Sequence, residues 1–161
     1  MKLTSILSSV AAAAAILFAA PAAVAQNPGI AIAGTTTAQS LPDAATKFLN
    51  KHFKGVAIKE VEKQYTNGGY EVELINGTDV DFDAKGKVTE IEAPGNNVLS
   101  QEIAKELLPH KTYKHLLDNG LATKIDGIKF KDGKVIEVET IIADPDTYIF
   151  DIDGNLIVVQ D

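Results

Sequence analysis

Apolar and acidic residues alternate through two short runs in the middle of the chain. Residues 70–74 place Tyr, Val and Leu at even positions and glutamates at odd ones, and residues 79–83 place aspartates at odd positions and Val and Phe at even ones. Alternation with a period of two indicates strands with one apolar and one charged face. Asn76-Gly77 lies between the runs and marks a tight turn. The two runs are therefore predicted to form a β-hairpin.

The register of this hairpin follows from keeping its apolar sides together. A three-residue loop at 75–77, with Gly77 in the left-handed conformation, places Leu74 opposite Thr78 and Val72 opposite Val80. Directly opposed like charges are unfavourable. The acidic pairs that this register creates are Glu73 with Asp79 and Glu71 with Asp81.

A helix and a strand are predicted before the hairpin. The helix is expected to start at Ser40, with Asp43 completing a capping pair and Pro42 in the first turn, and to end at Gly55. Its apolar stripe comprises Leu41, Ala44, Ala45, Phe48, Leu49, His52 and Phe53.

The strand is predicted over Val56–Tyr65 and turns at Asn67-Gly68. A two-residue turn there would pair Tyr65 with Tyr70 and set Glu62 beside Glu73, so that five carboxylates share one patch. A bulge in the strand would bring Lys59 and Lys63 to the acidic side. Tyr65, Tyr70, Phe82, Phe130, Tyr148 and Phe150 are mostly expected in the core.

The same pattern recurs after the boundary at 94–97. A Leu-Pro pair, a Glu-Val-Glu run and a Phe-Asp-x-x-Gly turn all return at an offset of about 66–68 residues. We therefore predict an α+β fold of two repeated units, 40–93 and 98–161, each a helix on an antiparallel four-strand meander. The units form either tandem domains or one continuous sheet. Residues 99–118 form either one helix kinked at Pro109 or two helices.

The N-terminal segment has the features of a secretory signal peptide. Lys2 precedes an apolar, alanine-rich stretch, and Ala23-Val24-Ala25 resembles a cleavage site, which predicts a signal peptide over 1–25 and a mature start at Gln26. Residues 26–39 are small and uncharged and are predicted to be a flexible linker. No later stretch is apolar enough to span a membrane, so we expect a periplasmic or secreted protein.

Composition excludes several classes of function. The chain has no cysteine, which removes disulfides and thiolate chemistry. Its basic residues are all lysines, 15 against 22 acidic residues, and this balance disfavours nucleic acid and anionic lipid as partners. A cation or a partner with a basic surface suits the charge better.

The acidic pairs are the main candidate for chemistry. Calcium takes six to eight oxygen ligands, so Glu71, Glu73, Asp79 and Asp81 are candidate calcium ligands. The alternative is a solvated face partly neutralised by Lys59, Lys63, Lys85 and Lys87. The DIDGN segment at 151–155 is read as a hairpin turn, because a twelve-residue calcium loop would extend past the chain.

Other arrangements that carry chemistry are absent from the sequence. His110 and His115 are five residues apart and do not share a helix face, and Ser40 and Ser100 are expected to cap helices. No nucleophile or phosphate-binding motif occurs. We therefore expect no enzymatic activity.

Three segments carry a resemblance to a known family. LPDAATKFLNKHFKG, GGYEVELINGTDVDFDAKGKV and FDIDGNLIVV resemble the PepSY-like group of exported bacterial proteins related to the beta-lactamase-inhibitor-protein fold. The resemblance covers nearly all of residues 40–161, although Thr147 and Ile149 replace Asp79 and Asp81 in the second unit. It implies helix-covered α+β units, an exported location, a binding or inhibitory role, calcium response in some relatives, and no shared catalytic residues.

Two functions are consistent with these observations. The preferred one is a non-catalytic periplasmic or secreted protein that binds another exported protein, as an inhibitor or modulator of an exported enzyme. The alternative is a calcium-responsive periplasmic module that uses the acidic sheet face.

Overall fold

A computed structural model describes residues 41–161, except 142, 144 and 145. The predicted signal peptide, the predicted linker and Ser40 lie outside these described residues. No helix in the described part is long and apolar enough to cross a membrane.

In the described part of the chain, eight antiparallel strands form one sheet in chain order, so each strand pairs with the strands that precede and follow it in the sequence. The strands are β1 (Ile58–Lys63), β2 (Tyr70–Leu74), β3 (Asp79–Phe82), β4 (Val88–Glu92), β5 (Ile125–Lys131), β6 (Val135–Thr140), β7 (Thr147–Asp151) and β8 (Leu156–Gln160). The predicted α+β class with antiparallel strands is confirmed. Of the two arrangements left open, the described residues form one continuous sheet, joined where Ile91 of β4 pairs with Ile128 of β5.

Three helices of the described residues accompany the sheet. They are α1 (Asp43–His52), before β1, and α2 (Gln101–Leu107) and α3 (His110–Asp118), between β4 and β5. Residues 99–118 therefore contain two helices. Leu108 has ψ 142° and Pro109 ψ 143°, both outside the helical range. Proline disfavours helical geometry in the residue before it, which separates the two helices at this point.

The expected start of α1 was wrong by part of a turn. Pro42 is the N-cap residue, with ψ 148°, and no side chain of the described residues caps the helix. The helix begins at Asp43, because the extended ψ of Pro42 cannot belong to a first helical turn. Ser100, in contrast, caps α2 as predicted: its hydroxyl accepts a hydrogen bond from the Ile103 N–H at 3.3 Å.

One hydrophobic core lies between the helices and the inner face of the sheet. Phe48 of α1 packs edge-on against Phe82 of β3, with ring centroids 6.1 Å apart. His115 of α3 packs in the same way against Phe150 of β7, at 5.5 Å. The fully buried sheet residues include Val72, Val80, Phe82, Ile91, Ile128, Ile136, Val138 and Phe150. Since side chains alternate along a strand, the acidic residues between these positions lie on the opposite face of the sheet.

Tyr65 was wrongly expected in the core. It is 91% exposed, because it lies in the turn between β1 and β2 and not in a strand. Gln64 donates its N–H to the Gly69 carbonyl at 2.9 Å, and Asn67 accepts from the Gly69 N–H at 2.8 Å. Four residues therefore separate Gln64 from Gly69, and the predicted two-residue turn is wrong.

Candidate functional site

The β2–β3 hairpin has the register that the sequence predicted. Glu73 lies opposite Asp79, and Glu71 lies opposite Asp81. Gly77 has φ +82°, and its N–H donates to the Leu74 carbonyl at 2.9 Å. The left-handed glycine closes the three-residue loop and brings the four candidate calcium ligands together on one face.

Strand β1 extends the acidic face in a different register from the predicted one. Because the turn has four residues, Lys63 pairs with Tyr70 and Glu62 pairs with Glu71. A bulge at Lys59 then sets Glu60 opposite Glu73. The predicted placement of Glu62 beside Glu73 is wrong.

The bulge moves one of the two lysines to the acidic side. The Lys59 ammonium lies 2.5 Å from a carboxylate oxygen of Glu73. Lys63 does not follow it: its ammonium lies over the Tyr70 ring, 5.6 Å from the centroid. The expectation is therefore confirmed for Lys59 and wrong for Lys63.

Strand β4 adds a further pair of carboxylates that the sequence analysis missed. Glu90 lies opposite Asp81, and Glu92 lies opposite Asp79. Glu90 and Glu92 flank Ile91, and Glu60 and Glu62 flank Val61, so the same alternation that identified β2 and β3 could have found them.

Eight carboxylates therefore form two rows across four strands, which we call the acidic face. They line an open groove of about 420 Å³ whose only other lining residue among those described is Val72. Directly opposed residues have Cβ atoms about 4.5–5.5 Å apart. The acidic face comprises Glu60, Glu62, Glu71, Glu73, Asp79, Asp81, Glu90 and Glu92.

Burial and, after it, neighbouring negative charge raise the pKa of three carboxylates of the acidic face. Burial, with added repulsion from Glu71 and Glu90, raises the pKa of Asp81 to about 6. Burial likewise raises the pKa of Asp79, with a further contribution from Glu73, and raises that of Glu92, next to Glu90. The acidic face holds its charge at a cost, which a bound cation would relieve.

Lysines neutralise the acidic face at its two sides. Lys59 pairs with Glu73 on the β1 side, and Lys129 of β5 lies 2.5 Å from Glu90 on the other. The hydrogen bond and charge of its carboxylate partner raise the pKa of each lysine. Asp79 and Asp81, in the middle of the groove, have no lysine of the described chain in ion-pair contact.

The carboxylates do not converge into a finished metal site. Among the described residues, no group of three or more carboxylate or histidine side chains is placed to hold one ion. The acidic face presents spread negative charge over an open groove.

The other candidates have structural roles in the described residues. His115 packs on Phe150, and His52 lies 2.7 Å from Glu106 of α2. In the 151–155 segment, Asp151 accepts from the Asn155 N–H at 2.7 Å and closes the predicted hairpin turn. Thr147 and Ile149 of β7 lie opposite Glu139 and Glu137 of β6. The β6–β7 hairpin therefore lacks the paired carboxylates of the β2–β3 hairpin.

Comparison with solved structures supports the fold. A "putative periplasmic protein of unknown function" from Bacteroides vulgatus superposes with a TM-score of 0.62 at 22% identity, covering 79% of this chain and 97% of that one. A "putative calcium-regulated periplasmic protein" from Bacteroides thetaiotaomicron gives a TM-score of 0.61 at 25% identity, covering 76% and 91%. No protein of curated function matches the chain.

A family model matches the chain twice, over residues 33–90 and 68–157. These matches overlap and together include all eight carboxylates of the acidic face. The chain belongs to the family described as "Putative beta-lactamase-inhibitor-like, PepSY-like".

Proposed function

We propose that this protein is an exported, non-catalytic binding module whose acidic face binds a basic surface of another exported protein, and so inhibits or modulates an exported enzyme. The observation that carries this proposal is the groove lined by eight carboxylates across four strands. The signal-peptide pattern of residues 1–25 supports export, and so do the solved relatives described as putative periplasmic proteins.

A protein partner suits the size and chemistry of the groove. A volume of about 420 Å³ accommodates lysine or arginine side chains from a partner, each with its own carboxylate. Complementary charge of this kind increases the rate of association and the selectivity for a partner. The non-catalytic part of the proposal is supported by the lining, in which the polar side chains are all carboxylates and which includes, among the described residues, no histidine or serine.

Calcium is a second candidate ligand for the same face. One solved relative at 25% identity is described as a "putative calcium-regulated periplasmic protein". Burial and, after it, repulsion from Glu71 and Glu90 raise the pKa of Asp81, and a divalent ion would relieve that repulsion. The open arrangement of the carboxylates argues that such an ion would need rearranged side chains or oxygens from water or a partner.

A pull-down from periplasmic extract, in calcium and in chelator, tests both candidates. The test variant is Glu71→Gln/Asp81→Asn, and its matched control is Glu102→Gln/Asp153→Asn, which removes two exposed acids elsewhere. Loss of a captured protein with the first pair, and retention with the control, is the expected result. Equal capture by both variants would overturn the proposal.

The pull-down and a calorimetric titration with calcium together distinguish a basic protein partner from calcium as the ligand. A protein that is captured equally in calcium and in chelator supports the basic-partner function. Calcium binding to the purified chain that the Glu71→Gln/Asp81→Asn variant abolishes, without any captured partner, supports the calcium function instead.

A further inference from the structure

Strand β8 leaves an apolar edge at one end of the sheet. It pairs with β7 alone among the described residues, so its outer row of backbone N–H and C=O groups has no strand partner there. Its five residues carry no charge, and Leu156, Ile157 and Val158 are exposed by 39%, 58% and 43%. One bulge, at Ile157, interrupts the pairing of β8 with β7, but no charged residue or proline lies within the strand. An uncharged apolar edge of this kind is a template for pairing with another strand.

The opposite edge of the sheet is protected. Four of the six residues of β1 are charged, and the bulge at Lys59 interrupts its pairing register. Because β8 carries a bulge of the same kind, the two edges differ in the charge of β1, and charged side chains on an edge strand prevent edge-to-edge association. Association of a β8 edge with a β1 edge would give an open filament, and the protected β1 edge blocks it. Association of β8 with β8 of a second copy gives a closed dimer.

The distribution of charge favours a second copy of this chain at β8. The acidic face lies on β1–β4. The row that holds Glu71, Asp81 and Glu90 continues through Lys129 of β5 and Glu137 of β6, and it ends in Ile149 and Val158 on β7 and β8. Joining two copies at β8 sets the acidic faces at opposite ends of the combined sheet. With strands about 4.8 Å apart, at least eight strands separate them, a distance far beyond the screening length of about 8 Å in physiological salt.

From these observations we infer that β8 is a self-association edge, through which two copies pair their β8 strands antiparallel about a two-fold axis near Val158 to form a sixteen-stranded sheet. The inference is independent of the ligand of the acidic face. It places Leu156 opposite Gln160 and Ile157 opposite Val159 of the second copy. The acidic faces remain open at both ends of the dimer.

A cysteine scan tests this geometry, because the chain has no cysteine of its own. Residues that face each other across an antiparallel pair have Cα atoms about 4.5–5.5 Å apart, within the range of a disulfide. Single cysteines are introduced at each position from 156 to 160 in the exported protein and oxidised. Cross-linking should peak at the residue on the axis and fall on either side. Leu117→Cys, on another exposed apolar residue, is the matched control.

Sedimentation measures the same association without a cross-link. The protein should double its mass with rising concentration, and Val158→Lys should weaken the association by about tenfold or more, as expected for an edge charge, while Leu117→Lys leaves it unchanged. A monomer at all concentrations, larger open assemblies, or equal cross-linking at positions 117 and 158 would overturn the inference. A monomer whose β8 amides resist hydrogen exchange would overturn it as well, and would point to another strand on this edge.

Discussion

Asp81 is the carboxylate of the acidic face whose ionised form is most clearly disfavoured by its surroundings. Burial and the charges of Glu71 and Glu90 raise its pKa from 3.8 to about 6. The folded state therefore binds more protons than the unfolded chain between these two values. The free energy of unfolding should therefore rise as the pH falls from about 6 towards 3.8. Above pH 6 the ionised Asp81 carboxylate destabilises the folded state to its full extent.

Replacing Asp81 with asparagine should therefore stabilise the protein at pH 7, by on the order of 1 kcal/mol after allowance for solvent screening. The gain should shrink below pH 6 and level off near pH 3.8. Urea denaturation at several pH values measures it. Asp151→Asn provides a control of opposite sign, because hydrogen bonds from Asn155 lower the pKa of Asp151. That variant should lose stability at pH 7 and recover towards wild type in acid.

The central residues of the acidic face could be predicted because their register depends on local information. The loop at 75–77 and the alternation on both sides of it determine which carboxylates of β2 and β3 are opposed. Glu60 depends on a bulge and a four-residue turn, which rest on hydrogen bonds of Gln64 and Asn67 that alternation does not report. Glu90 and Glu92 were predictable and were missed.

At the scale of elements, two hairpin turns pack closely on helix starts. A Cβ added to Gly86, in the β3–β4 turn, would lie 2.7 Å from the Ala45 backbone nitrogen of α1. A Cβ added to Gly154, in the β7–β8 turn, would lie 2.9 Å from the Thr112 hydroxyl oxygen of α3. Both glycines have positive φ, of +83° and +82°. Each turn therefore needs glycine for its backbone conformation and for its contact with a helix.

Gly86→Ala should destabilise the protein by roughly 2–4 kcal/mol, because left-handed strain and overpacking both contribute. Gly55→Ala is the matched control: Gly55 has φ +84° but nothing within 4 Å of an added Cβ. Its cost should be limited to the strain, about 1–2 kcal/mol. Urea denaturation of both variants compares them. Equal losses would show that the contact between turn and helix contributes nothing.

The predicted elements differ in how well local sequence determines them. The break between α2 and α3 at Leu108-Pro109 follows from the geometry of proline. Two helices were therefore one of the two arrangements predicted for residues 99–118. The predicted strand at 56–65 was too long at both ends, because Tyr65 has strand propensity but lies in a turn that Asn67 and Gly69 stabilise. Side-chain hydrogen bonds within a turn override propensity at this point.

For the whole molecule, the sequence left open whether the two halves share a sheet, since periodicity cannot show how distant strands pair. The join consists of Glu90 with Lys129, Ile91 with Ile128, and Glu92 with Gly127. Ile91 and Ile128 are almost completely buried in the common core. The halves are therefore coupled by backbone pairing, by an ion pair and by apolar packing.

This coupling predicts that the described fold unfolds as one unit. Ile128→Ala, at a site 1% exposed, should lower the free energy of unfolding by roughly 2–5 kcal/mol through the loss of buried methyl groups and the cavity left behind. Hydrogen exchange should accelerate in β2 and β3 as well as in β5 and β6, because a shared core transmits the loss. Ile75→Ala, at a site 59% exposed, should change neither half. Two separate unfolding transitions in urea, or faster exchange confined to β5–β8, would show instead that each half folds independently and that the join between β4 and β5 only docks them together.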